Sequence, residues 1–297
     1  MAKRILVIVN PHAGSAPEAR ELEHALDAAG IHCAIRCIPE GVNVSEWLDS
    51  LVRDFELLVA AGGDGTVSTV AARAVQSDKT LGVIPVGTLN HFARDAGIPT
   101  ELREAVQVLA AGHTRRLDVG TVNGRTFLNN VSLGAYPDMV SQRERHHRRW
   151  PRPLATALAA FRTWRDLRLV TFHLCVDGDE RIRRSPFLLV GNGEYEVTGM
   201  RLGRRPTLTD GRLAVYIASE GRRLEMLTLP VRALLGKLAV DRKFEMFQAS
   251  HTSVELSRQR VRVGIDGEIH ILHTPLRFST RPRALRTIVP ALETGKK

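Results

Sequence analysis

Three short runs without polar residues in the first third of the chain constrain the fold most strongly. They span Ile5–Val9, Leu57–Ala60 and Leu81–Ile84, and each leads into a polar loop that contains glycine. A strand that lacks polar alternation is buried on both faces, which is typical of parallel sheets covered by helices on both sides. The sequence therefore predicts a parallel sheet with polar loops after its strands.

Segments with helical character alternate with these strands. Apolar side chains recur at helical spacing in residues 17–29, and Asn43 to Glu46 resembles a capping box at the start of a second helix. Further predicted elements are a strand at His32–Ile38 and helices at 66–76 and 100–111. Residues 1–122 are thus predicted to form an α/β domain with a doubly wound parallel sheet.

The pattern changes after about residue 115, where strands and tight turns dominate. Asn123-Gly124, Asp177-Gly178 and Asp266-Gly267 are signals of two-residue type I′ turns. The first should join strands at 118–122 and 126–130, and further helices are expected at 152–168 and 222–238. We predict a mainly antiparallel, β-sandwich-type second domain over residues 123–280, with residues 281–297 packing back on the first domain.

The charge balance favours anionic partners. The chain has 42 Lys and Arg residues against 32 Asp and Glu residues, a net charge of +10, which suits nucleic acid, anionic lipid or a phosphate-rich ligand without choosing among them. There is no apolar run of about 18 residues, and the three cysteines form no cluster. We therefore expect a cytoplasmic protein that meets a membrane only peripherally.

The loop Gly62-Gly63-Asp64-Gly65-Thr66 carries the strongest local functional signal. Glycines let the backbone approach a phosphate closely, and the first turn of the following helix presents free N–H groups. A carboxylate beside phosphate needs a cation or a proton, so Asp64 is predicted to organise Mg²⁺ or to take part in proton transfer. The alternative is an ordinary strand-to-helix turn with an aspartate cap.

Two more polar loops follow strands of the same predicted sheet, at Asn10–Ser15 and Pro85–Asn90. The carboxyl ends of parallel strands meet at one sheet edge, where α/β proteins bind their ligands. Neither the G-x-x-x-x-G-K-[ST] loop nor the complete dinucleotide fingerprint is present. The three loops together predict a nucleotide cleft of another type.

This ordered set of motifs resembles the diacylglycerol kinase catalytic family, which includes bacterial lipid kinases and sphingosine kinases. The matching motifs are Asn10-Pro11-x-x-Gly14, Gly62–Thr66, Pro85–Arg94, Asp118-Val119-Gly120, Asn129, Thr207–Gly211 and Ile265–Glu268. The Gly-Gly-Asp-Gly-Thr element is shared with NAD kinases and phosphofructokinases, whose first-domain fold we expect here. The resemblance implies an ATP-dependent kinase that phosphorylates a diacylglycerol-like lipid hydroxyl at a membrane surface.

The resemblance also implies roles for individual residues. Those expected to contact ATP are Asn10, Pro11, His12, Ala13, Gly14, Gly62, Gly63, Asp64, Gly65, Thr66, Val67, Ser68 and Thr88. A structural Mg²⁺ is expected at Asp210 with carbonyl oxygens of Thr207 and Arg212, although Asp210-Gly211 also fits an ordinary turn. Glu268 is expected to be the general base, with Asp266 in support and Asp64 on the phosphate side. The local alternative for Asp266-Gly267-Glu268 is a plain hairpin.

The chain departs from the family pattern in three places, one of which is Ile38-Pro39-Glu40, where some members carry a threonine near the adenine. His91 stands where many members carry aspartate, and Asp95 either replaces that carboxylate or caps or pairs on its helix. Arg201, Arg204 and Arg205 replace a glycine-rich stretch, and they are expected either to bind phosphate or to be solvated.

The basic segment Arg143–Arg152 leads into a predicted helix and is suited to an anionic membrane surface, the alternative being a solvated loop. We expect a membrane lipid as the substrate and no nucleic-acid partner, because no nucleic-acid motif accompanies the charge. Homodimer formation is left open. Three alternative functions remain: a kinase of a soluble hydroxyl compound such as NAD, a non-catalytic regulator that binds lipid or nucleotide, and a nucleic-acid binder.

Overall fold

A computed structural model describes residues 4–14, 19–134, 169–198, 201–218 and 244–291. The first domain alternates strands and helices. Its elements are β1 (Ile5–Val9), α1 (Ala19–Ala28), β2 (Ala34–Cys37), α2 (Val44–Leu51), a 3-10 turn (Val52–Asp54), β3 (Leu57–Gly62), α3 (Asp64–Gln76), β4 (Thr80–Pro85), α4 (His91–Asp95) and α5 (Leu102–Ala111).

The strands of the first domain form a parallel sheet in the order β2, β1, β3, β4. On one face, Leu22 of α1 shares a core with Val59, and α5 packs on the same side. On the other face, Leu48 of α2 shares a core with Leu58, together with α3 and α4. Helices cover both faces of the apolar strands, so the predicted doubly wound α/β architecture is confirmed.

Strands make up the rest of the described chain. They are β5 (Thr114–Val122), β6 (Arg125–Phe127), β7 (Asn130–Gly134), β8 (Val170–Val176), β9 (Asp179–Ser185), β10 (Phe187–Asn192), β11 (Val197–Thr198), β12 (Arg201–Leu202), β13 (Leu213–Ala218), β14 (Phe244–Ala249), β15 (His251–Glu255), β16 (Arg260–Ile265), β17 (Glu268–His273) and β18 (Leu276–Ile288).

Most of these strands form an antiparallel β-sandwich, as predicted. One of its sheets has the order β14-β13-β10-β7-β16-β17. Val131 and Val215 of that sheet share a buried core with Phe172 and Phe278 of the other. The three type I′ signals are two-residue turns with positive φ at Asn123, Asp177 and Asp266, so these predictions are confirmed.

The second sheet of the sandwich is continuous with the parallel sheet of the first domain. β18 pairs with β15 at its start and with β5 on both sides of an irregularity between Arg281 and Leu285. Near its end, Arg286 and Thr287 pair in parallel with β4. Ten of the described strands therefore form one sheet that extends through both domains and joins β18 to the first domain.

The predicted strand at 126–130 is divided between the two sheets. β6 ends at Phe127 in one sheet and β7 begins at Asn130 in the other. The amide groups of residues 128–130 donate to the Asp266 carboxylate instead of to a neighbouring strand, which allows the chain to cross.

Three predictions concern residues that the structure does not describe. The helices expected at 152–168 and 222–238, and the basic segment Arg143–Arg152, lie outside the described residues. Within the described part, no helix has the length and apolar character that crossing a membrane requires.

Candidate active site

The three glycine-containing loops meet at the carboxyl ends of β1, β3 and β4. The loops after β3 and β4 are in close contact at Gly63 and Gly87, and a β-carbon on Gly87 would overlap the Cα atom of Gly63. A β-carbon on Gly14 would lie 3.0 Å from Thr88 Oγ1 in the loop after β4. The loops are thus packed closely enough that backbone atoms form much of the surface at this edge.

Two asparagine side chains fix the loops. Asn10 Nδ2 donates to Thr66 Oγ1 at 3.1 Å, and this bond ties the first loop to the start of α3. Asn90 has a left-handed φ of 51°, and its amide group bonds to both the amide and the carbonyl of Gly87, at 3.0 and 2.8 Å. Asparagine tolerates this backbone conformation, so Asn90 closes its own loop.

The loops surround a cleft of about 310 Å³ at the sheet edge. α3 begins at Asp64 without a side-chain cap, and Gly63, Gly65 and Thr66 at its start line the cleft, so this helix N-terminus can receive an anion. Glycine backbone, an uncapped helix N-terminus and the apolar side chains of Ile38 and Val44 suit a nucleoside triphosphate. The lining residues are Asn10, Ala13, Gly14, Ile38, Val44, Gly63, Gly65, Thr66, Thr69, Gly87, Thr88 and Glu268.

Some residues predicted to contact ATP are not among those that line the cleft. Pro11 and His12 are exposed, and His12 Nε2 lies 3.5 Å from Glu40 Oε1. Val67 is buried in the core of the first domain, and the Ser68 hydroxyl donates to Asp266. Asp64 and Gly62 are not among the lining residues either, and ATP contacts for all these residues stay predictions.

Glu268 is the contribution of the second domain to the cleft. It is the first residue of β17, and its side chain is 57% exposed. Its carboxylate lies against the phosphate loop, since a β-carbon on Gly65 would be 2.7 Å from Glu268 Oε1. His270 Nε2 lies 3.8 Å from Oε2, and burial together with the charge of Arg125 lowers the pKa of His270. An accessible carboxylate therefore faces the glycine loop across the domain boundary.

Asp266 occupies a different environment two residues away. It is partly buried, and its Oδ2 accepts the Ser68 hydroxyl at 2.5 Å. The amides of residues 128–130 donate to its two oxygens at 2.8, 2.8 and 3.1 Å. Burial raises the pKa of Asp266, and the hydrogen bonds oppose that rise. With four donors on two oxygens, Asp266 is placed to organise the structure, and the geometry favours Glu268 as the proton acceptor.

Asp64 lies between two of the nucleotide loops. It is the first residue of α3, it is partly buried, and its Oδ1 accepts the amide of Phe92 at 3.4 Å. Phe92 belongs to α4, which follows the loop after β4, and His91 beside it is exposed. A carboxylate at this position fits a Mg²⁺ ion that accompanies a triphosphate, because such ions take oxygen ligands from one or two carboxylates plus the phosphates.

The loop at 207–212 is anchored by Asp118. This aspartate is buried, with Oδ2 accepting the Gly211 amide at 2.6 Å and Oδ1 accepting the Arg283 amide at 2.7 Å. Its own amide donates to the carbonyl of Leu208 at 2.9 Å. Asp118 therefore joins the middle of β5, the loop and the irregularity in β18, which explains an aspartate to which the sequence assigns no role.

The residues predicted to bind a structural metal lie in that loop. Asp210 and Arg212 are exposed, and Thr207 Oγ1 accepts the amide of Thr209 at 3.1 Å. Among the described residues, no three His, Cys, Asp or Glu side chains are grouped as a metal site. One carboxylate with backbone carbonyls and water is a donor set that hard cations accept. The assignment of Thr207, Asp210 and Arg212 to a metal stays a prediction.

Arg205 neither binds an accessible phosphate nor lies in solvent, so both expectations for it are wrong. Its side chain is fully buried and pairs with Asp95 of α4, Nε to Oδ2, at 2.7 Å. The other two nitrogens of the guanidinium group donate to the carbonyls of Leu128 and Asn192 and to Asn129 Oδ1 at 2.6 to 2.9 Å. An arginine in a polar loop gives no sequence signal of burial; the signal available was Asp95, for which pairing was one of the stated alternatives.

Fold and cleft together define a class of protein. An α/β domain presents a cleft suited to a nucleoside triphosphate, and a β-sandwich domain places a carboxylate opposite the phosphate loop, which is the arrangement of a two-domain kinase. The model of the Diacylglycerol kinase catalytic domain matches residues 4–122, and that of the YegS C-terminal NAD kinase beta sandwich-like domain matches residues 129–289. The chain therefore belongs to the diacylglycerol kinase catalytic domain family, whose members use ATP.

Individual relatives agree with this assignment. The chain is 28% identical over 276 residues to a diacylglycerol kinase of Bacillus subtilis, covering 90% of both chains. It is 26% identical over 274 residues to a diacylglycerol kinase of Staphylococcus saprophyticus, again covering 90% of both. A solved structure of a diacylglycerol kinase from Bacillus anthracis superposes with a TM-score of 0.70 over 97% of both chains at 22% identity, which supports the fold.

Proposed function

We propose that this protein transfers the γ-phosphoryl group of ATP to the hydroxyl of a diacylglycerol-like lipid at a membrane surface. One observation carries the proposal: the Glu268 carboxylate of the second domain lies against Gly65 of the phosphate loop. A protein that only bound nucleotide would have no use for an accessible carboxylate at this point. An acceptor hydroxyl located between Glu268 and the terminal phosphate has a base on one side and an electrophile on the other.

The chemistry follows from that placement. Glu268 accepts the proton of the lipid hydroxyl as its oxygen forms a bond to the γ-phosphorus, while the bond from that phosphorus to the bridging oxygen of ADP breaks. The glycine loops and the N-terminus of α3 hold the phosphates with backbone N–H groups. Asp64 would hold Mg²⁺, which when bound offsets the negative charge of the phosphates. Most of the catalysis is then positioning and charge neutralisation.

The lipid acceptor is supported by the relatives and by charge. Relatives that cover 90% of the chain carry the name diacylglycerol kinase. The net charge of +10 favours an anionic surface, and we propose peripheral attachment through the basic segment Arg143–Arg152.

The test is transfer of radiolabelled γ-phosphate from ATP to a panel of acceptors in mixed micelles. The panel contains diacylglycerol, phosphatidylglycerol, a sphingoid base and undecaprenol, with NAD as a soluble acceptor. We expect labelled product with diacylglycerol or a related lipid, dependent on Mg²⁺. Label in NAD alone would identify a kinase of a soluble compound, and nucleotide binding without any transfer would identify a regulator.

A further inference from the structure

The crossover between the two sheets, residues 128–130, is hydrogen-bonded to two side chains of opposite charge. The carboxylate of Asp266 accepts the three amides of this segment. The guanidinium of Arg205 donates to the Leu128 carbonyl and to Asn129 Oδ1. These contacts fix the segment strongly, because hydrogen bonds to charged groups are stronger than neutral ones.

Each of these two charged side chains also bonds to the first domain, and each does so at a different helix. Asp266 Oδ2 accepts the hydroxyl of Ser68, one turn into α3, at 2.5 Å. Arg205 Nε donates to Asp95 of α4 at 2.7 Å, and the Arg205 amide approaches the same carboxylate at 3.4 Å. The N-terminus of α3 carries the glycine loop after β3, and α4 follows the loop after β4.

From these contacts we infer that Ser68 and Arg205 are positioning residues that hold Glu268 in register with the phosphate loops. The inference rests on the proposed kinase function. Glu268 is two residues from Asp266 in a tight turn, so the bond from Ser68 to Asp266 determines how far the Glu268 carboxylate lies from Gly65. The bond from Arg205 to Asp95 holds the same crossover segment to α4 and prevents rotation about the first contact.

This role differs from those that the sequence favours for both residues. A Ser68 hydroxyl that contacted ATP would point into the cleft, whereas it donates to the Asp266 carboxylate of the other domain. An Arg205 that bound phosphate would be accessible, whereas its side chain has no exposed surface. Neither residue touches the reacting atoms, so both act through the position of Glu268.

Ser68→Ala is the most specific test, because it removes one bond and leaves Asp266 three amide donors. A displacement of about 1 Å at a reacting group can cost roughly 10²-fold. We therefore expect Ser68→Ala to lower kcat about 10- to 100-fold in the lipid kinase assay, with KM for ATP within about 2-fold of wild type. Ser68→Thr keeps the hydroxyl and should restore most of the rate.

Ser77→Ala is the matched control, since Ser77 lies at the other end of α3, where its hydroxyl donates to the Arg73 carbonyl. Its kcat should equal that of wild type. A wild-type kcat in Ser68→Ala would overturn the inference and leave the kinase function intact. A raised KM for ATP with unchanged kcat would overturn it as well, by showing that Ser68 contacts nucleotide.

Hydrogen–deuterium exchange gives a readout that does not depend on turnover. We expect faster exchange in residues 265–270 of Ser68→Ala than of wild type or Ser77→Ala. If wild type phosphorylates no acceptor, the proposed function fails, and exchange alone decides the positioning role. Unchanged exchange in this segment would then reject the link between α3 and the Glu268 turn.

Discussion

The glycine loop at 62–66 and the turn at 266–268 both carry carboxylates near the cleft, but they are built in different ways. The first lies between a buried strand and a helix, and Asp64 in it is partly buried with one long hydrogen bond of 3.4 Å. The second is a hairpin turn in which Asp266 is also partly buried but accepts four hydrogen bonds. The number of hydrogen bonds thus separates a carboxylate available to a cation from one that is committed to structure.

The same comparison separates Asp266 from Glu268 within one turn. The hairpin alternative and the catalytic hypothesis do not exclude each other, because Asp266-Gly267 forms the turn while Glu268 faces Gly65. A tight turn holds both carboxylates within two residues, one hydrogen-bonded to the crossover and the other exposed beside the phosphate loop. The variants below test whether this division is also a division of function.

Glu268→Gln should have the largest effect. Glutamine keeps the size of the side chain but cannot take a proton, so kcat should fall about 10²- to 10⁴-fold, the usual range for loss of a general base. Nucleotide affinity and melting temperature should change little, since the glycine loops come from the first domain. The measurement is lipid phosphorylation beside ATP binding by calorimetry. Full activity would remove Glu268 from the mechanism.

Asp64→Asn should have a smaller but still severe effect. The change removes charge at the end of β3 without altering shape, and electrostatic contributions of this kind are worth roughly 10²- to 10³-fold in rate. The fold should remain intact by circular dichroism. The Mg²⁺ concentration for half-maximal activity should rise, and a variant that kept more than half the wild-type rate would make this loop purely structural.

Gly87→Ala tests the contact between the loops after β3 and β4. A β-carbon there would overlap Gly63 Cα, so the loops must separate, at a cost of about 1–3 kcal/mol by analogy with overpacked cores. Gly63→Ala is the matched comparison, because its β-carbon would lie 3.4 Å from Gly87 Cα. We expect a lower unfolding midpoint and weaker ATP binding in Gly87→Ala than in Gly63→Ala. Equal effects of the two variants would show that the loops adjust freely.

Replacing Arg143, Arg145, Arg148 and Arg149 by glutamine should have the smallest effect on turnover. Each arginine near an anionic surface contributes about 1 kcal/mol to attachment, so vesicle binding should weaken while activity on a short-chain soluble lipid stays near wild type. Co-sedimentation with anionic and neutral vesicles at low salt measures the difference. Unchanged binding to anionic vesicles would place membrane attachment elsewhere in the protein.

Predictions from local sequence succeeded where local physics decides the structure. The apolar run Ile5–Val9 and the turn pair Asn123-Gly124 each specify one conformation, because burial on both faces and positive φ leave few alternatives. The capping residue Asn43 likewise accepts the Ser45 amide at 3.1 Å, as its sequence pattern predicts. Two predictions failed: the strand expected at 126–130 ends at Phe127, and Arg205 is buried. In both cases the structure depends on residues that are distant in the sequence.

The sequence alone determined the order of strands and helices, the three glycine loops and the family to which they belong. Only the tertiary structure decided that the Ser68 hydroxyl donates to Asp266, 198 residues away, and that Arg205 is buried against Asp95, 110 residues away. The physical reason is that a polar side chain exposed to water can satisfy its hydrogen bonds in many conformations, so the local sequence does not determine its partner. Burial removes those conformations, and the partner that remains depends on which distant segments the fold brings together.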